Sequence, residues 1–273
     1  MSVHHQIRCA EIWGGIEAVD QDVSTSSLAI SLYSAPCKGA AGGDIYYVSV
    51  CGGDQLTRIV VADLQGHGEA VSAMSRRIYS SLLDHLGDLD NCLVLSELNR
   101  FAIEQGFEAI TTAVVVSFLL DGAEMSYGYA GHPPVLLRQS RGASWSMLEP
   151  KRSKANPALG VFEDAVFEQW TIPLSTGDRF CVYTDGIIEC PDARDQPWGV
   201  RRFREALARQ DDRPLPEAKA GVLAEMAVSS GCSKRSQNMP ELGADSGITV
   251  SRAGVLDKIW LPKPDGWLEA IRK

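Results

Sequence analysis

The rhythm of hydrophobic and polar positions changes several times along the chain. Residues 10–19, 27–33, 44–50 and 58–63 form short apolar, β-branched or aromatic runs separated by glycine and polar turns, the pattern of strands. The apolar positions then fall three or four apart at Val71, Met74, Ile78, Leu82 and Leu86, and again from Leu93 through Leu95, Leu98, Phe101 and Ile103, which predicts two helices. Strand patterning returns at 111–120 and 123–130, joined by the hairpin-forming pair Asp121-Gly122, and continues at 135–138, 167–173, 179–183 and 248–252. Helical spacing recurs at 200–208 and 215–227, whereas 229–243 is polar, contains glycine and reads as a loop. Mostly consecutive strands imply antiparallel pairing.

No internal repeat, low-complexity run or linker divides the chain, so the expectation is a single domain over 1–253 with a tail over 254–273. The tail carries Ile259, Trp260, Leu261, Trp267, Leu268 and Ile271, interrupted by Pro262 and Pro264. Exposed tryptophans are costly, which predicts that it packs on the domain.

Composition narrows the class. With 273 residues, 45% hydrophobic and 22% charged, the chain can bury a sizeable core. It has no apolar stretch of membrane-spanning length, and residues 1–8 are polar rather than the apolar segment of a secretory signal, so a cytoplasmic protein without membrane association is expected. A formal charge of -9 with no Lys/Arg block argues against nucleic acid as a partner. The seven cysteines include no C-x-x-C, which points to reduced, mostly buried thiols rather than disulfides or a zinc knuckle.

Four aspartates stand out against this background. Asp44, Asp63, Asp185 and Asp245 lie at the edges of predicted strands, with glycine or another small residue close by. A Gly-Gly-Asp triplet alone is most often a turn. Its companions change that: Asp63 ends an apolar strand and leads through Gly66-His67-Gly68 into a helix, and Asp185 follows the strand-like Val182-Tyr183-Thr184 and precedes Gly186. Carboxylates converging from several strand edges make the oxygen cage that hard divalent cations take.

These segments resemble the metal-dependent protein phosphatases of the protein phosphatase 2C class, in the bacterial SpoIIE/RsbU-like branch of stage II sporulation and stress-sigma-factor regulator phosphatases. The resemblance spans residues 27–252. It is carried by Gly42-Gly43-Asp44-Ile45-Tyr46, Asp63-Leu64-Gln65-Gly66-His67-Gly68, Tyr129-Ala130-Gly131-His132-Pro133-Pro134, Gly177-Asp178 and Tyr183-Thr184-Asp185-Gly186-Ile187-Ile188-Glu189, in the family's order. It implies an α+β fold, a four-layer αββα sandwich of two central antiparallel sheets flanked by helices, with two Mn²⁺ or Mg²⁺ ions at one sheet edge.

By the same likeness Asp63 bridges both ions, Asp44 and the main-chain carbonyl of Leu64 hold one, and Asp185 with Asp245 holds the other. A water between the ions would then attack a phosphoserine or phosphothreonine in line, without a protein nucleophile. His67 has two readings, as general acid to the leaving serine oxygen or as a cap for the following helix. His132 reads as a brace for the turn after a strand. The implied partner is a phosphoprotein, by analogy a STAS-type anti-sigma-factor antagonist. The segment ahead of Ser27 is short for a sensory domain, so regulation is expected through a separate partner, through the helix that includes Val71, or through self-association as a homodimer.

One motif departs from the family. Where the pattern has Asp-Asp or Asp-Asn before a Thr or Ser, this chain has Ser246-Gly247, and Asp245 stands one residue earlier. A one-residue shift turns a strand side chain to the other face. Either Gly247 absorbs the extra residue in a bulge and returns Asp245 to the metal, or that ligand is lost. The displaced aspartate motivates a competing class, a degenerate phosphatase kept as a regulatory binding module; a two-metal hydrolase of small phosphoesters is a third. A cysteine phosphatase is disfavoured, because no Cys opens a C-x5-R phosphate loop.

Overall fold

Two sheets built largely from consecutive strands organise the chain. The computed structural model describes residues 5–35, 41–66, 68–85, 88–142, 144–150, 156–230 and 245–252, with backbone alone for 41–42 and 245–252. In chain order the strands are β1 (His5–Gln6), β2 (Ile12–Glu17), β3 (Val19–Ser24), β4 (Leu28–Ala35), β5 (Ala41–Cys51), β6 (Leu56–Leu64), β7 (Thr111–Leu119), β8 (Glu124–Ala130), β9 (Leu136–Arg138), β10 (Ser146–Met147), β11 (Gln169–Pro173), β12 (Arg179–Tyr183) and β13 (Asp245–Arg252). The helices are α1 (Glu69–Leu83), α2 (Asn91–Gln105), α3 (Asp185–Glu189), α4 (Gly199–Arg209) and α5 (Leu215–Ser229). One sheet runs β11-β8-β7-β6-β5-β2 and the other β1-β3-β4-β13-β12-β9-β10. All pairings are antiparallel except β1 with β3.

Alternation along the strands divides the interior into three apolar layers. Tyr46, Val48 and Val50 of β5, Ile59 and Val61 of β6, and Val114, Val116 and Phe118 of β7 meet Ile30 and Leu32 of β4 and Phe180 and Val182 of β12 in a core between the sheets. The intervening residues, among them Ile45, Tyr47, Val60, Ala62 and Val115, pack outward against Met74, Ile78 and Leu82 of α1 and Val94, Leu95 and Leu98 of α2. On the opposite side Cys181 and Tyr183 pack with Ile187, Phe203, Leu207, Val222 and Met226 of α3, α4 and α5. The layers are therefore αββα, as expected, with burial of some 25 cal/mol per Å² of apolar surface on both faces of each sheet holding them together.

Some elements differ from the sequence reading. The segment 10–19 is not one strand: β2 ends at Glu17 after an irregularity between Gly15 and Glu17, and the chain then crosses to the other sheet as β3. β3 itself, with Asp20, Gln21 and Asp22, carries too little apolar signal to be seen. Lys219 of α5 offsets that charge, its Nζ lying 2.6 Å from Asp20 and 3.2 Å from Asp22. The two-residue strands β1 and β10 and the five-residue α3 are too short for periodicity to register. His67, Leu86, the polar segment at 231–244 and the tail at 254–273 lie outside the described residues. Among the described residues no helix is long and apolar enough to cross a membrane.

Candidate active site at the mouth between the sheets

The register places three polar residues where apolar ones stand elsewhere. Asp44 of β5 is paired with Asp63 of β6, and Asp63 with Thr112 of β7. Counting by twos from Tyr46, Val61 and Val114, all three fall on the face toward the second sheet, at the end where β5 begins and β6 finishes. From the second sheet β12 delivers Thr184 and then Asp185, the first residue of α3. Thr184 is buried and its hydroxyl donates to Asp44 Oδ2 at 3.3 Å, closing the mouth from the opposite side.

Asp63 is the centre of this group. Its carboxyl is within hydrogen-bonding reach of both Asp44 and Asp185. Burial, followed by the charges of Asp44 and Asp185, pushes its pKa up to about 8. Three carboxylates in a row cannot all ionise cheaply, so Asp63 holds a proton at neutral pH. They form a row and not a finished cage: among the described residues no group of three or more His, Cys, Asp or Glu side chains is gathered for a metal ion.

The backbone beside the row is tightly drawn in. A Cβ on Gly43 would come to 2.8 Å from the Leu64 carbonyl oxygen and 3.4 Å from Asp63 Oδ1, so glycine alone lets that carbonyl approach the aspartates. Ser75 of α1 is fully buried, and its Oγ lies 3.1 Å from the Gly43 carbonyl and 3.0 Å from that of Val71, tying the helix to the same strand.

Asp245 enters by register. β13 pairs with β4 without interruption from Asp245 opposite Ala35 to Arg252 opposite Leu28, so Gly247 makes no bulge, contrary to the device expected for it. With no bulge, the one-residue offset from the family pattern is not absorbed. β12 and β13 pair Tyr183 with Gly247, and continuing that ladder by two residues sets Asp245 level with Asp185.

Sequence reasoning singled out Asp44, Asp63, Leu64 and Asp185, and the fold brings them to one mouth. It missed Thr112, Thr184 and Ser75, small hydroxyl residues whose role is visible only once the strands are paired. His132 is buried as a brace should be, with Nδ1 3.0 Å from Thr112 Oγ1, and burial keeps its pKa down at about 3.

The donor set fits hard divalent cations. It consists of carboxylates and a main-chain carbonyl, and the proton that Asp63 retains marks a concentration of negative charge that a cation would relieve.

Comparison with known proteins agrees with this fold. The chain is 22% identical to the phosphoserine phosphatase RsbP of Bacillus subtilis (strain 168) over 171 residues, which cover 60% of this chain and 40% of RsbP. The structure of the RsbU and RsbW domains of Rv1364c from Mycobacterium tuberculosis superposes with a TM-score of 0.69 at 21% identity, covering 92% of this chain and 64% of that one. RsbX, solved in complex with magnesium, superposes with a TM-score of 0.63 at 14% identity, covering 86% of this chain and all (100%) of RsbX. The chain thus spans well under half the length of RsbP and less than two thirds of the Rv1364c chain. The model of the Stage II sporulation protein E (SpoIIE) family matches residues 53–236, a stretch that takes in the strand carrying Asp63 and runs past Asp185, and the chain belongs to that family.

Proposed function

We propose that this chain is a metal-dependent serine/threonine protein phosphatase that hydrolyses phosphoserine and phosphothreonine with two divalent cations, Mn²⁺ or Mg²⁺, as cofactors. One observation carries the reading: Asp44, Asp63 and Asp185 arrive from three separate strand ends and repel one another in contact, an arrangement that cation binding would turn from cost to gain. In this reading Asp63 would contribute to both cation positions, Asp44 and the Leu64 carbonyl would hold one, and Asp185 and Asp245 the other. When bound, the cations generate a nucleophile from water at neutral pH and neutralise the phosphoryl oxygens.

The chain's own residues set the stage for that chemistry. To hold a cation Asp63 would have to give up its proton, so uptake would be favoured as pH rises. The Thr184 hydroxyl donates to Oδ2 of Asp44 and so helps to orient that carboxylate. Ser75 holds the Gly43 carbonyl and with it the close approach of Leu64. The apolar core between the sheets closes the site from behind against bulk water. His67, which follows Asp63 by four residues in the sequence, is the proposed general acid for the leaving serine oxygen.

The likeness to RsbP, a phosphoserine phosphatase, supports phosphoserine as the group attacked. Kinship with the RsbU-like branch makes a phosphorylated STAS-type anti-sigma-factor antagonist, met in the cytoplasm, the proposed protein substrate. The test is phosphate release from a phosphoserine peptide and from p-nitrophenyl phosphate, with and without Mn²⁺. Release should require Mn²⁺ and vanish in Asp63→Asn and Asp185→Asn. Undiminished rates in both variants would reject the site, and Mn²⁺ uptake without turnover would favour a regulatory module.

A further inference from the structure

We propose that His132 is a positioning residue, an imidazole crossbar that sets the separation between the strand carrying Asp63 and the strand leading to Asp185. The proposal rests on the reading of those aspartates as the phosphatase centre. Gly131-His132-Pro133-Pro134 is where the chain leaves β8 of one sheet for β9 of the other. Gly131 makes the turn possible with φ at 65°, in a place where a Cβ would sit 2.9 Å from the Ala158 nitrogen.

The two prolines create the need that the histidine meets. β9 pairs with β12 as far as Leu136 opposite Cys181, and the same ladder continued by two residues would set Pro134 opposite Tyr183. Proline has no N–H, so the Tyr183 carbonyl finds no main-chain donor from that side. His132 is 6% exposed, and the polar neighbour of its ring, apart from Thr112, is the Tyr183 main chain. Nε2 is buried with no hydrogen-bond partner at bonding distance, while the Tyr183 main chain lies near enough to favour the protonated ring. The tautomer that suits both neighbours carries its proton on Nε2, toward the Tyr183 carbonyl, and accepts the Thr112 hydroxyl proton at Nδ1, 3.0 Å away.

Each end of this crossbar flanks a candidate ligand. Thr112 is the cross-strand partner of Asp63. Tyr183 continues through Thr184, which donates to Asp44, into Asp185. Apolar packing between sheets is non-directional and tolerates small slides. A site whose ligands come from both sheets needs registration to about 0.5 Å, and a directional link between the two strands supplies it. The ring need not change charge, since burial holds it neutral across the physiological range.

Thr112→Val removes the hydroxyl at nearly constant shape, and Thr112→Ser restores it. The measurements are Mn²⁺ affinity by calorimetry, kcat and KM on a phosphoserine peptide, melting temperature, and crystal structures of the metal-free wild type and of Thr112→Val. Thr112→Val should lose about 10–100-fold in Mn²⁺ affinity and kcat, with KM unchanged, and its crystal structure should show Asp63 displaced relative to Asp185. Thr112→Ser should recover both constants. His132→Gln, which keeps a donor within reach of Tyr183 but not the Thr112 contact, should resemble Thr112→Val. Wild-type affinity and kcat in Thr112→Val, with only the melting temperature lowered, would overturn the proposal. Should the wild type itself neither bind Mn²⁺ nor release phosphate, the phosphatase reading has failed, and the crystal structures decide alone: a displaced Asp63 supports the crossbar and an unmoved one overturns it.

Discussion

Asp44 and Asp63 stand directly opposite each other on neighbouring antiparallel strands, at the open end of a ladder whose inner face continues with Tyr46, Val48, Ile59 and Val61. Like charges in that relation destabilise a sheet. The ladder tolerates the pair because Asp63 keeps a proton, its pKa raised to about 8 by burial and by the charges of Asp44 and Asp185. Fold and function therefore compete at this point: the row costs the empty protein stability and supplies the negative charge that draws cations in.

That competition predicts an inverse response to one substitution. Asp63→Asn removes a carboxylate from the repelling row while keeping its shape. The metal-free variant should melt at or above the wild-type temperature, whereas Mn²⁺ should no longer raise its melting point and phosphate release should be lost. Thermal scans with and without Mn²⁺ check both halves. A variant that melts well below the wild type would mean that the carboxylate is needed for folding.

Acidity should act on the empty protein through two groups of opposite sign. Folded Asp63 titrates near 8 against an ordinary 3.8, so between those values the folded state holds a proton that the unfolded chain has released, and stability falls as pH rises, levelling above 8. Folded His132 titrates near 3 against 6.5, so its contribution is lost as pH falls from 6.5 toward 3. The two oppose each other between 3.8 and 6.5, which leaves the interval from 6.5 to 8 to Asp63. There the slope is at most about 1.4 kcal/mol per pH unit. Melting curves of the metal-free protein should decline across that interval, and Asp63→Asn or saturating Mn²⁺ should flatten them.

The layers and the acidic row were legible because both are written locally. The β-branched apolar runs at 58–63 and 111–120 and the three-to-four spacing after Gly68 each need only a dozen residues, and aspartate beside glycine at a strand end is a local signal too. What was not legible depends on pairing. Thr112 and Thr184 are unremarkable in sequence; cross-strand register makes one the partner of Asp63, and a contact across the mouth makes the other a donor to Asp44. β3 was invisible because its acidic residues are balanced by Lys219, some 200 residues away. His132 was read as a brace for a turn, but its contact with Thr112 of β7 is visible only once the strands are in place.

Gly43→Ala should separate geometry from charge. The added methyl would press on the Leu64 carbonyl oxygen at 2.8 Å, a main-chain atom that cannot swing aside, and would crowd Asp63 Oδ1 and Val71 Cγ1 at 3.4 Å. β5 and β6 would have to part where the row forms, at a cost of about 1–3 kcal/mol for a strained insertion. The expected result is a lowered melting temperature together with weakened Mn²⁺ affinity and kcat, although every candidate ligand is retained. Calorimetry of the variant at Mn²⁺ concentrations that saturate the wild type checks it.

Asp245 bears on the ion count. It sits level with Asp185 by ladder register, and although no bulge in β13 absorbs its one-residue offset, the proposed reading makes it the second carboxylate for the position that Asp44 does not serve. Asp245→Ala should therefore reduce Mn²⁺ stoichiometry from two ions to one, leaving the position served by Asp44 and the Leu64 carbonyl with near-normal affinity. Phosphate release should fall by more than the about 10–100-fold that accompanies loss of a group one shell further out. Ser246→Ala, one register step away, should do neither. If Asp245→Ala keeps two ions and full turnover while Ser246→Ala loses one, the ligand is the serine position and the family pattern, not the displaced aspartate, governs the second ion.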